Sequence, residues 1–119
     1  MARFPALPAG VSDARAFVRR SVGDPRLVDD ALLLVSELAS NVVQHARTPY
    51  EVSVEHTASG VRVAVRDGCR RPARTTRAPV DAPGGRGLRI VASLASRWGV
   101  ERRRVGGKSV WFELDVPAV

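Results

Sequence analysis

The sequence predicts an α+β fold: a two-layer sandwich in which helices cover one face of a mixed, mostly antiparallel sheet. Three observations lead there. Apolar residues recur in helical pairs from Arg26 to Ala46, and valines alternate with polar residues in two runs after Pro49. A second pair of alternating runs follows near the end of the chain. Short glycine-containing turns join each pair as a hairpin rather than a crossover. With 119 residues, 45% of them hydrophobic, the chain has material for one core and is expected to form one domain, residues 1–119.

Ser12 is placed to cap a short helix from Asp13 to Val22, which Gly23 closes. Pro25 suits the first turn of a second helix. There the pairs Leu27/Val28, Ala31/Leu32, Leu34/Val35, Leu38/Ala39 and Val42/Val43 carry the period to Ala46, and Thr48-Pro49 stops it. In the first hairpin a two-residue loop at Ser59-Gly60 pairs position 54 with 65 and position 52 with 67. All the valines then share one face, and Glu51 and Glu55 lie near Arg62 and Arg66 on the other.

Residues 68–84 hold three prolines and four arginines without periodicity, a loop of a length usually functional or disordered. A helix from about Gly87 to Arg97 follows, with Arg89, Ser93, Ser96 and Arg97 as its polar stripe. The last hairpin runs from Gly99 to Arg104, turns at Gly106-Gly107 and returns from Ser109 to Val116.

Composition narrows the function. No apolar run approaches the roughly 20 residues of a membrane span, and the start of the chain lacks a secretory h-region. Cys69 is the lone cysteine, so no internal disulfide forms. Together these predict a cytoplasmic protein without a membrane partner. The formal charge of +7 invites a nucleic-acid reading, but the basic residues are dispersed and little aromatic side chain is interleaved for base stacking. That class is kept as the weakest alternative.

Two phosphate-loop patterns fail. GGKS at 106–109 would need a glycine at Arg102 and a helix where a strand pattern stands. Gly85-Arg86-Gly87 begins a dinucleotide fingerprint, but Ile90 occupies its third glycine position.

Three polar placements are ones a core would not choose. Glu37, Asn41 and Gln44 share one face of the long helix, and Asn41 is a poor mid-helix residue. Asp67 falls on the valine face at the end of its strand, where a carboxylate is costly unless it is satisfied. A helix cap or turn could satisfy it; otherwise it is a buried acceptor awaiting a ligand's N–H donors. Gly84, Gly85 and Gly87 cluster at a helix start, where backbone amides are unpaired and can hold phosphate. A purine nucleoside triphosphate matches the set: its exocyclic amine meets Asp67, its phosphates meet the turn, and Asn41 meets the bridging magnesium. His45 and His56 have no partner in the sequence that suggests catalysis, and both read as structural.

These segments carry a resemblance. ELASNVVQHA (37–46) resembles the N-box of the GHKL ATPases, the superfamily of gyrase, heat-shock chaperone, mismatch-repair and histidine-kinase ATPase domains. RDG (66–68) is similar to the G1 box and GGRGLRIV (84–91) to the G2 box. Within the superfamily, the segments LLLVSELASNVVQHA and GGKSVWFEL are most similar to the stand-alone, RsbW-like anti-sigma-factor kinases of actinomycetes.

The resemblance implies a Bergerat, histidine-kinase-like ATPase fold that binds ATP and Mg2+. Asn41 becomes the magnesium ligand and Asp67 the adenine-amine acceptor, with Gly68 beside it. Gly84, Gly85, Arg86, Gly87 and Leu88 become the phosphate-side turn, and residues 68–84 the ATP lid. Glu37 becomes the general base. The acceptor would be a serine or threonine on a small STAS-domain antagonist, with a sigma factor as the other partner, and relatives are often homodimers. Two residues depart from the family pattern: Gln44 stands where Lys or Arg is frequent, and Cys69 where another glycine is usual. With no phosphoacceptor helix ahead of the N-box, a stand-alone domain is expected rather than a full sensor kinase. The alternative function is a nucleotide-dependent binding module with weak or no catalysis.

Overall fold

A computed structural model describes residues 1–68, 85–102 and 106–117, with the backbone alone at 85–87. Five strands form one sheet in the order β1-β2-β3-β5-β4, and every neighbouring pair is antiparallel. The strands are β1 (Ala2–Phe4), β2 (Tyr50–His56), β3 (Gly60–Asp67), β4 (Arg97–Arg102) and β5 (Lys108–Asp115). Helices α1 (Pro8–Val22), α2 (Pro25–Asn41) and α3 (Gly85–Leu94) make the second layer. The α+β sandwich is therefore as expected, with the sheet antiparallel throughout.

Helix α1 begins earlier than Ser12. Pro8 sits in its first turn after an extended Leu7, and no side chain caps it. Gly10, Ala14, Val18 and Val22 are buried at successive i, i+4 positions, so the apolar face extends back through Gly10. Only glycine fits there, because a Cβ at Gly10 would lie 2.4 Å from the Pro5 carbonyl oxygen. For α2, Asp24 is the N-cap and accepts the Arg26 amide at 2.9 Å. Leu27, Ala31, Leu34, Val35 and Leu38 bury its apolar face.

The end of α2 is not a plain α-helix. Residues Val42–Ala46 form a π-helical turn, closed by the Arg47 amide donating to the Val42 carbonyl at 2.7 Å. Arg47 ends it in the left-handed region, with φ of 55°. The expected helix to Ala46 is thus helical throughout, but its last turn is wider than the 3.6 period allows.

The first hairpin is displaced by two residues from its expected register. Val52 pairs with Val65 and Val54 with Val63, and the turn is at Ala58-Ser59 rather than Ser59-Gly60. Thr57 sets it: its amide donates to the Gly60 carbonyl and its hydroxyl accepts the Gly60 amide, both at 2.9 Å. An even slip preserves faces, so the valines remain on one side and Glu51 still meets Arg66 across the strands.

Helix α3 stops at Leu94, not Arg97. Ser96 instead donates its amide to the Glu113 carbonyl, and Arg97 opens β4 with ion pairs to Glu113 and Asp115. Its polar stripe therefore ends at Ser93, and β4 and β5 each begin slightly earlier than expected. Strand β1 has no counterpart among the elements the sequence predicts. It pairs Ala2–Phe4 with Tyr50–Val52, and the buried Phe4 ring lies 5.8 Å from Tyr50.

The core lies between the layers, where Leu34, Val35, Val63, Val91 and Phe112 are fully buried. On the face away from the helices Trp111 lies over Gly99, and the Arg62 guanidinium stacks on the indole at 4.0 Å. Among the described residues, no helix is long and apolar enough to cross a membrane.

Candidate functional site

One end of the sandwich collects most of the singled-out residues. β3 ends there at Asp67, flanked by Tyr50 at the start of β2 and Lys108 at the start of β5. The chain reaches Tyr50 directly from the end of α2, which brings Asn41 and the π turn to the same end. Thr48 on that connection accepts the Gly68 amide at 3.0 Å, tying the segment after α2 to the end of β3. Helix α3 finishes at the opposite end, beside Arg97, and its ten residues span about 15 Å.

Asp67 is buried, 4% exposed, on the helix-facing side of the sheet. Strand parity alone puts it there. Within the protein, the Lys108 ammonium lies 3.1 Å from its Oδ2. Backbone packing holds the row in register. Gly107 has φ of +89°, and a Cβ on it would fall 2.3 Å from the Asp67 carbonyl oxygen. Gly68 differs: among the described residues, a Cβ there would meet the Thr48 side chain at an ordinary 3.7 Å.

Glu37 and Asn41 are half-buried and lie one turn apart on α2. Gln44 and His45 fall in the π turn and are exposed. The wider turn takes Gln44 off the straight stripe that the 3.6 period draws through Glu37 and Asn41. Gly85, Arg86, Gly87 and Leu88 are the first turn of α3, whose amides have no partner within the helix. The Leu88 side chain itself is buried in the core. Gly84, Cys69 and the expected lid beyond Gly68 lie outside the described residues. His56 is structural, with Nε2 donating to the Ser21 carbonyl at 2.9 Å.

Lys108, Thr48 and Tyr50 join this end of the sheet without being flagged by the sequence. Lys108 is within reach of the valine-face parity, extended across to β5 once Asp67 is placed. Thr48 and Tyr50 leave no local signal, since their roles come from contacts across the sheet end. The Tyr50 hydroxyl is buried with no hydrogen-bond partner among the described residues. Burial, aided by the Asp13 carboxylate, pushes it up to about 12.

A cavity of about 390 Å³ lies at the other end, lined by Asp24, Leu27, His56, Thr57, Val61 and Val116. None of the candidate residues borders it. Among the described residues, no group of three or more His, Cys, Asp or Glu could hold a metal ion.

The sequence profile of the histidine kinase-like ATPase domain matches residues 4–114, nearly the whole chain. The chain belongs to the histidine kinase-like ATPase domain family. Its fold is also that of a solved histidine kinase domain, from the blue-light activated histidine kinase of Erythrobacter litoralis EL346. The two share 21% identity with a TM-score of 0.53, over 89% of this chain and 60% of that one. This ATPase domain thus spans less than two thirds of that structure, and at such identity the likeness speaks for fold alone. No curated protein matches the chain.

Proposed function

We propose that this ATPase domain binds ATP with magnesium at the Asp67 end of the sheet and acts as an anti-sigma-factor serine/threonine kinase. In this reading it phosphorylates a small STAS-domain antagonist, sequesters a sigma factor, or does both. The carrying observation is Asp67: a buried carboxylate at the helix-facing end of β3, in a row with Lys108 and beside the end of α2. In a domain of this family, such an acceptor suits the exocyclic amine of adenine. The first-turn amides of Gly85 to Leu88 suit the phosphates.

Asn41 offers one amide oxygen for a magnesium ion whose other ligands are phosphates and water, the usual way this ion is held beside a nucleotide. The ion would neutralise charge on the phosphates. Glu37, one turn earlier, would take the proton from the attacking hydroxyl as its oxygen bonds to the γ-phosphorus and ADP leaves. A serine or threonine hydroxyl gives the phosphoprotein; water gives simple hydrolysis.

Two measurements test this. Calorimetry with ATP, with and without magnesium, should show binding to the wild type and its loss in Asp67→Asn. Labelled ATP with the cognate antagonist should yield phosphoserine or phosphothreonine, and Glu37→Ala should abolish transfer. Tight ATP binding without turnover on any antagonist would favour the binding-module alternative. Absence of ATP binding would end both readings.

A further inference from the structure

The rungs between β3 and β5 on the helix-facing side run Val61–Leu114, Val63–Phe112 and Val65–Val110, and then Asp67–Lys108. Three apolar rungs are followed by an ion pair. Lys108 is also the only lysine among 19 basic residues. Its side chain is 19% exposed, against 2% for Asp67, so Lys108 is the less buried partner of the pair. Removing two charges from water costs several kcal/mol, and well-packed apolar residues often serve a fold equally well. The pair therefore calls for a chemical reason.

A carboxylate only accepts hydrogen bonds and an ammonium only donates them. At 3.1 Å apart, Asp67 and Lys108 present an acceptor and a donor side by side. Adenine carries the complement along one edge: the N6 amine donates and the adjacent N1 accepts. Guanine reverses the order, with O6 accepting and N1–H donating. A base whose position-6 group faces Asp67 is then matched twice if it is adenine and opposed twice if it is guanine.

We infer that Lys108 is a specificity residue of the nucleotide site, donating to adenine N1 while Asp67 accepts from N6. This rests on the nucleotide reading above. Lysine suits the task better than arginine, because its three rotatable donors can hold Asp67 and still reach a ligand. An arginine fork would instead engage the carboxylate through both of its oxygens.

The test uses ATP, 1-deaza-ATP (which lacks only the N1 acceptor) and GTP, each titrated by calorimetry into wild type and Lys108→Met. Wild type should bind 1-deaza-ATP about tenfold more weakly than ATP, the size expected of one charge-assisted hydrogen bond. Lys108→Met should bind ATP and 1-deaza-ATP equally and discriminate less against GTP. Should Lys108→Met leave Asp67 too poorly compensated to fold, the comparison of ATP with 1-deaza-ATP on the wild type decides alone. The wild-type comparison needs no substitution. Equal binding of ATP and 1-deaza-ATP by the wild type, or the same N1 penalty in the folded variant, overturns the inference while leaving ATP binding intact. If wild type binds no ATP at all, the nucleotide reading itself has failed.

Discussion

Asp67 and Tyr50 are neighbours across β2 and β3, yet they handle burial in opposite ways. Asp67 lies against the Lys108 ammonium, 3.1 Å away, whereas Tyr50 keeps its proton. With its hydroxyl held up to about 12, the folded chain retains that proton at pH values where an unfolded tyrosine, at 10.0, has lost it. The Tyr50 contribution is therefore complete below pH 10 and is lost as pH rises through about 12. Tyr50→Phe keeps the ring beside Phe4 and removes a hydroxyl without a hydrogen-bond partner among the described residues. At neutral pH the substitution is expected to be neutral or stabilising, by up to about 1 kcal/mol. Thermal melts near neutral pH and at about pH 12 check both parts: wild type should fall further than the variant between them. At this level Asp67 is legible in the sequence, because strand parity alone assigns its face. Lys108 is not, because its meaning depends on which residue of β5 stands opposite.

The junction after α2 shows where local patterning stops. Apolar pairs continue through Val42/Val43, so the sequence reads as one uninterrupted helix. The chain instead widens into a π turn and leaves through Arg47 at φ of 55°, a region that disfavours side chains. Arg47→Gly relieves that strain and is expected to stabilise by about 0.5–1 kcal/mol once the added freedom of the unfolded chain is subtracted. A chemical denaturation midpoint above that of wild type, with unchanged slope, would bear this out. The same limit explains α1. Ser12 has the chemistry of a cap, but Pro8 and the close packing of Gly10 on Pro5 move the start of the helix upstream. The strand β1 leaves no pattern to read: three residues cannot show alternation, and they form a strand because β2 offers an unpaired edge.

Across the molecule, the site draws on the end of β3, the start of β5, the connection after α2 and, in the proposed reading, the first turn of α3. A ligand that binds these together in the folded chain alone should stabilise the whole fold. At one hundred times its dissociation constant, ATP with magnesium is expected to add about 2.7 kcal/mol. The gain would appear as a raised melting temperature in wild type, absent in Asp67→Asn. GTP at the same concentration should give a smaller shift.

Fold class, the hairpins, the long helix and the inward face of Asp67 are all written in the amino-acid sequence itself. Each follows from periodicity within a segment, and period 2 or 3.6 assigns a face without reference to partners. The strand order, the two-residue slip of the first hairpin, β1 and the Asp67–Lys108 pair are decided only by the tertiary structure. They depend on which distant residues come to lie side by side, and that is settled by turn hydrogen bonds and close backbone approaches such as Gly107 against Asp67. Spacing along one strand carries no information about the residue across from it.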